Sequence, residues 1–161
     1  MIANILSYQC KEKRQVLLLQ LFGGGLFAVN MFLLDAVMGG ILNIIAVFRS
    51  VVYMRRKNSV WQNWLFGILY GISYLLTFLV FGKPPTASNL LTELLPLFGM
   101  MAMTIGFSKT NARAIRLCGF INSPCWLIYN CINFSIGGII SEAISVVSIL
   151  FAFLRLDKKA K

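Results

Sequence analysis

Apolar residues in this chain neither alternate nor keep to one helical face. They run on in six long stretches, at residues 16–35, 38–54, 60–81, 89–107, 117–133 and 136–154, separated by short polar marks. A bilayer core of about 30 Å is crossed by roughly 17–25 helical residues, and every stretch falls in that range. Each is too long and too uniformly apolar for a barrel strand of about 9–11 residues. The connections at 10–15, 36–37, 55–59, 82–88, 108–116 and 134–135 leave no room for an extramembrane domain. The pattern predicts an all-α integral membrane protein, a polytopic helical bundle of six full transmembrane helices. Ahead of them, residues 2–9 are apolar but cover only about 12 Å at 1.5 Å per residue. They are either an interfacial stub or a truncated first span.

Charge refines this picture by its position. Of 161 residues, 58% are apolar and 12% charged, against about 45–50% and 25% in soluble domains. The net charge of +10 would fit a nucleic-acid partner, but a mean hydropathy of +0.79 leaves no polar face to display it. Instead the basic residues alternate with the spans. Lys11, Lys13 and Arg14, then Arg55, Arg56 and Lys57, then Lys109, Arg113 and Arg116, and last Arg155, Lys158, Lys159 and Lys161 fall on one side; Lys83 falls on the other and Arg49 inside a span. The positive-inside rule makes the crowded side cytoplasmic, with the C-terminus there, in a multi-pass protein. The opening residues show neither a basic n-region nor a small-residue cleavage site, so the hydrophobic segments are expected to belong to the mature protein.

Chemistry is sparse. The chain has no His, five carboxylates and four cysteines (Cys10, Cys118, Cys125, Cys131) without a C-x-x-C pair, which excludes His-based acid–base catalysis and His–Cys zinc sites. No span carries paired carboxylates or a nucleophile beside a base, so the expectation is no enzyme, no cofactor and no metal. Gly23-Gly24-Gly25 is no phosphate loop, since neither a strand nor G-K-[ST] accompanies it.

Sliding the chain by 98 residues superimposes Gly39-Gly40-Ile41 on Gly137-Gly138-Ile139, Lys11 on Lys109, Leu19 on Leu117, Phe22 on Phe120 and Ser50 on Ser148. More telling, both halves run basic loop, apolar span, short turn with Gly-Gly, apolar span. The implied plan is one membrane domain over residues 1–161. Residues 1–59 form a first three-helix repeat with a shortened start, 60–88 a linker helix and outer loop, and 89–161 a second three-helix repeat. Two such units in the same orientation are parallel repeats.

The stretches 33–43 (LLDAVMGGILN), 93–99 (ELLPLFG) and 125–142 (CWLIYNCINFSIGGIISE), with CKEKRQ at 10–15, resemble the YgjV family of bacterial inner membrane proteins over residues 2–155. The resemblance implies an inner-membrane location and carries no established activity; the family's members usually have a complete first span. More distantly, the three-one-three layout is similar to the SWEET and PQ-loop transporters, whose three-helix bundles enclose a small solute site. That likeness implies a small-solute transporter or facilitator by analogy. The alternative is a structural or regulatory membrane protein without transport activity.

Candidate site residues are the polar groups that a bilayer makes costly, by about 2.5–3.5 kcal/mol for a charge at a helix centre. Glu142 lies about 9 Å inside its span, as a solute- or proton-binding carboxylate or a packing hydrogen bond. Asn43 falls on Ser141 at the 98-residue offset, beside Glu142, so the halves present paired polar groups, and both positions match the solute-lining polar residues that the SWEET-like comparison implies. Trp126, Tyr129, Asn130 and Asn133 share one helix face. Of these Trp126 and Asn130 are substrate-binding candidates with Asn43 and Glu142, whereas Tyr129 reads as packing and Asn133 as an outer cap. Asn30 is the repeat-related counterpart of this cluster. Arg49 is expected to snorkel to the cytoplasmic end, and Asp35 and Glu93 to be hydrated boundary groups. Pro96 and Pro124 remove backbone hydrogen bonds and make candidate hinges. Gly67 and Gly71 form a small-residue face for packing within the protein or a homodimer. The expected partners are the lipid bilayer and a small solute.

Overall fold

A computed structural model describes residues 2–55 and 60–157. Arg56, Lys57, Lys158, Lys159 and Lys161, named above, lie outside the described residues. Among the described residues seven α-helices follow one another: α1 (Ile2–Ser7), α2 (Lys13–Leu33), α3 (Val37–Arg55), α4 (Val60–Leu79), α5 (Ala87–Ser108), α6 (Ala112–Ile132) and α7 (Ile136–Ala152), the last running into a wider π-helical turn, Phe153–Asp157. No strand occurs among the described residues.

Side-chain caps set several boundaries, satisfying backbone N–H groups that a helix start leaves unpaired. Thr86 accepts from Asn89 N–H, Asn111 from Ala114 N–H and Ser135 from Gly138 N–H. The Asn111 cap starts α6 five residues before the apolar run at 117, which brings Arg113 and Arg116 onto the helix. Arg116 is buried and donates to the Cys10 carbonyl (3.2 Å).

α2, α3, α5 and α7 with its wider turn are long and apolar enough to cross a membrane. α4 and α6 match them in length, at 20 and 21 residues, but carry polar interruptions: α4 opens Val-Trp-Gln-Asn-Trp, and α6 carries Arg113, Arg116, Asn122 and Asn130. Large apolar side chains such as Phe22, Phe48, Leu79, Phe98 and Phe151 cover the outside, which a bilayer accommodates and water penalises. The chain is a helical membrane protein.

α1, α2, α3, α5, α6 and α7 form a ring in which each packs on the next, α3 meeting α5 and α7 meeting α1; α4 lies outside, against α3 and α5. The short α1 is therefore part of the bundle. Gln9 donates to the Ser148 carbonyl and hydroxyl (both 2.8 Å), and Ser148 donates to Ile5 O (3.0 Å).

The α2–α3 and α6–α7 turns are the same turn. Asp35 and Phe134 both take φ = 54°, preceded by Leu34 (φ −100°, ψ 11°) and Asn133 (φ −91°, ψ 11°). Ala36 N–H donates to Met31 O (3.0 Å) as Ser135 N–H does to Asn130 O (2.9 Å), a left-handed helix ending in which the chain reverses tightly. Matching the two turns sets residues 99 apart against each other, one more than the offset that aligned the Gly-Gly-Ile strings. Gly39 corresponds to Gly138, Asn43 to Glu142 and Phe27 to Trp126.

Candidate functional site

The ring encloses a polar cavity of about 60 Å³ to which all six of its members contribute. The four residues singled out as substrate-binding candidates, Asn43, Trp126, Asn130 and Glu142, line it together with Phe27 and Arg49. Two pairs on its wall stand 99 residues apart, the spacing of the two turns: Asn43 with Glu142 and Phe27 with Trp126.

Each side chain is held differently. Asn43 Nδ2 donates to Gly39 O (2.8 Å) and Asn130 Nδ2 to Trp126 O (2.7 Å), so each amide ties one of its two N–H donors to its own helix. Trp126 is buried and meets Tyr129 edge to face, with centroids 5.6 Å apart, a favoured arrangement of aromatic quadrupoles. Glu142 is half-buried and lines the cavity together with Tyr8 and Ser145. Glycines make room for amide oxygens at the helix contacts. A Cβ at Gly138 would stand 2.1 Å from Asn130 Oδ1, one at Gly23 1.8 Å from Asn4 Oδ1, and one at Gly99 2.9 Å from Asn122 Oδ1.

Arg49 does not snorkel. It is 3% exposed, and its Nη1 donates to Tyr70 Oη (3.0 Å), Met100 O (2.9 Å) and Thr104 Oγ1 (3.0 Å), with the guanidinium 4.6 Å from the Phe107 ring centroid. Three oxygens and an aromatic face replace the water it would otherwise reach for. Glu93 is not a hydrated boundary group either: it is 1% exposed and ion-paired with Lys83. The loop that brings Lys83 back over α5 supplies the countercharge that burial requires. Asp35, by contrast, is exposed as expected.

The helix face shared by Trp126, Tyr129, Asn130 and Asn133 splits in use. Trp126 and Asn130 reach the cavity. Tyr129 is fully buried, accepts from Gly39 N–H (3.2 Å) and faces Glu93, while Asn133 ends α6 and donates to Tyr129 O (2.9 Å). Asn30 corresponds to Tyr129 rather than to Asn130, and its Nδ2 donates to Ser135 Oγ (3.0 Å). α6 is thereby fastened to the start of α3 and α2 to the start of α7. Pro96 is buried within α5, whereas Pro124 is exposed on α6; neither lines the cavity. Gly67 and Gly71 face open space on α4. Phe27 and the Arg49 cluster were missed in the sequence. The shift of the repeat by one residue would have found Phe27, opposite Trp126, but no local pattern pairs Arg49 with Tyr70 and Thr104.

Among family models, that of Imp-YgjV, a bacterial inner membrane protein family, matches residues 1–160. Comparison with curated proteins and with solved structures found no match.

Proposed function

The chain belongs to the Imp-YgjV family of bacterial inner membrane proteins, and from that premise we propose that it is a small-solute transporter or facilitator built from two parallel three-helix repeats around the α4 linker. The observation that carries this reading is the central cavity, which gathers polar and aromatic side chains from both halves in equivalent pairs. Transporters built from such repeats place their substrate at the repeat interface. The contacts of the ring support the repeat: exchanging α1, α2 and α3 for α5, α6 and α7 maps every neighbour pair onto another, the α3–α5 contact onto α7–α1.

In this reading all six full spans cross the bilayer, α4 and α6 included, with their polar residues turned to protein partners. The basic ends meet at one end of the bundle, where Arg116 reaches Cys10 O and the Lys13 ammonium lies 5.6 Å from the Tyr53 ring centroid. That end, with the C-terminus, is cytoplasmic. Opening of the cavity toward the Lys83 end requires release of the Lys83–Glu93 ion pair and of the Tyr129 and Asn30 bonds, with Pro96 and Pro124 as the bending points. The open face at Gly67 and Gly71 serves a homodimer. The chain performs no catalysis.

Uptake of small polar solutes into proteoliposomes tests the reading. Flux is expected with the wild type and a loss of at least tenfold in Glu142→Gln, without loss of the folded protein; folded wild type that moves no solute above the lipid background would sink it. A structural or regulatory role is favoured by a separate observation, the amide oxygens seated at Gly23, Gly99 and Gly138 as helix-packing devices. It predicts that Glu142→Gln changes stability and leaves flux at background in both proteins.

A further inference from the structure

Resting on the reading of the cavity as a solute site, we propose that its ligand is a small uncharged molecule rich in hydrogen-bond donors, of the size and kind of urea. Size limits the choice first. One water needs about 10–15 Å³ by the measure that gives this cavity about 60 Å³. The space takes roughly four to six waters, or a solute of similar heavy-atom count, and a hexose or nucleoside does not fit.

Charge decides next. Among the described residues, the charged side chains that line the cavity are the Glu142 carboxylate and the Arg49 guanidinium. Arg49 is held by neutral oxygens and an aromatic ring, so its full charge acts in the same small space as that of Glu142. A cation drawn to the carboxylate is repelled by the guanidinium, and an anion drawn to the guanidinium is repelled by the carboxylate. A charged solute therefore gives up its hydration without meeting a net countercharge. A neutral solute carries no such cost.

Hydrogen bonding then selects among neutral solutes. Five carboxamides line the cavity: Asn4 from α1, Gln20 from α2, Asn43 from α3, and Asn122 and Asn130 from α6. A carboxamide is uncharged and both donates and accepts. The amide oxygens of Asn4, Asn122 and Asn130 are buried without a hydrogen-bond partner among the described residues, and so is Arg49 Nε. The glycines against which these oxygens sit supply carbon contact, not an N–H or O–H donor. Buried polar groups that the protein leaves unpaired call for a partner from outside it. Three acceptors against one donor suit a solute with more N–H than C=O groups. Urea, with an amino group on each side of one carbonyl, has that balance and fits the space.

Tracer exchange in proteoliposomes tests the assignment, with equal solute concentrations inside and outside so that no membrane potential builds up. The labelled probes are urea, guanidinium, nitrate and glycine. The first three are planar and alike in size but neutral, cationic and anionic; glycine is a zwitterion of similar size. Urea is expected to exchange at least tenfold faster than in protein-free liposomes, and the other probes at the liposome rate. Asn43→Leu removes one amide from the wall at little change in size and should slow urea exchange at least fivefold. Should that variant not fold, Gln20→Met makes the same test on α2. Exchange of guanidinium, nitrate or glycine as fast as urea overturns the neutral assignment and leaves the solute cavity standing. Uptake of another solute without urea exchange does the same, as does an undiminished urea rate in the folded amide variant. Folded wild type that exchanges none of these probes and takes up no other small polar solute overturns both.

Discussion

The two halves of the molecule share a frame and differ in what they hang on it. α2–α3 and α6–α7 turn through the same left-handed residue, and each third helix starts beside a buried glycine, Gly39 or Gly138. At positions 99 apart along the cavity wall the side chains differ: Asn43 against Glu142, and Phe27 against Trp126. Deeper on the third helices, Arg49 corresponds to Ser148. Arg49 bonds to Thr104 on α5, and Ser148 bonds to Ile5 on α1, which is the position equivalent to Thr104. The cross-links sit in the same place, but one uses a charge and the other a hydroxyl. The two turns share a backbone, and the side chains on the helices that follow them differ in chemistry: a carboxylate on the cavity wall from α7, a fixed cation beside it from α3.

The largest effect expected from breaking this comparison is at the deeper cross-link. Replacing Arg49 with Met removes a charged donor from three oxygens, each such bond being worth about 1.5–3 kcal/mol before the orphaned partners rearrange. Tyr70 Oη and Thr104 Oγ1 are 3.2 Å apart and can bond to each other once the guanidinium is gone, so the net loss is set at about 3 kcal/mol. Ser148→Ala at the equivalent place should lose about 1 kcal/mol, the value of neutral hydrogen bonds. Denaturant unfolding in detergent micelles measures both, and equal losses would show that the two cross-links do not differ as charge and hydroxyl do.

A second contrast sharpens the register of the halves. The 99-residue register pairs Gly39 with Gly138, whereas the Gly-Gly-Ile strings pair it with Gly137. A Cβ at Gly39 would come within 2.9 Å of the buried Tyr129 ring and 3.1 Å of Met31 Sδ; at Gly138 it would meet the bonded Asn130 side chain and, at 2.8 Å, Ser135 Oγ. At Gly137 it would meet nothing within 4 Å. Gly39→Ala and Gly138→Ala should therefore each cost about 1–3 kcal/mol through overpacking. Gly137→Ala should stabilise by about 0.5–1 kcal/mol by restricting the unfolded chain and favouring helix. Thermal midpoints of the three variants decide the matter, and an intolerant Gly137 beside a tolerant Gly138 would restore the 98-residue register.

That one-residue difference also shows how far the sequence could be read. The helices were legible because uninterrupted apolar runs need no tertiary information, and their bounds moved mainly where a cap such as Asn111 pulled polar residues into a helix. The four cavity residues were legible because buried polar groups in an apolar span must face protein. Arg49 and Glu93 were misplaced for a shared reason. Each lies near enough to a helix end for water to be a plausible partner, and what keeps them dry is distant in sequence: Tyr70 and Thr104 for one, Lys83 on a returning loop for the other. The 99-residue spacing of the two turns is not visible in the sequence, where identical Gly-Gly-Ile strings stand 98 apart, because the turns' left-handed residues, Asp35 and Phe134, have no side-chain chemistry in common.

Those two residues give the smallest and most local of the contrasts. Both sit at φ = 54° and both are exposed, so the turn asks the same backbone of an Asp in one half and a Phe in the other. Asp tolerates this region through local hydrogen bonding, whereas a bulky side chain is strained there by about 1–2 kcal/mol. Phe134 is 83% exposed and so gains little packing among the described residues to offset that strain. Phe134→Asn should raise stability by about 0.5–1 kcal/mol, because Asn adopts the left-handed conformation readily. Asp35→Asn at the equivalent position should change it by no more than a few tenths of a kcal/mol. Unfolding in detergent and again in lipid nanodiscs separates backbone strain from membrane contact. A gain seen in both comes from the turn, and a gain in detergent that reverses in the bilayer means that the Phe134 ring is anchored at the interface, where aromatic side chains favour the headgroup level.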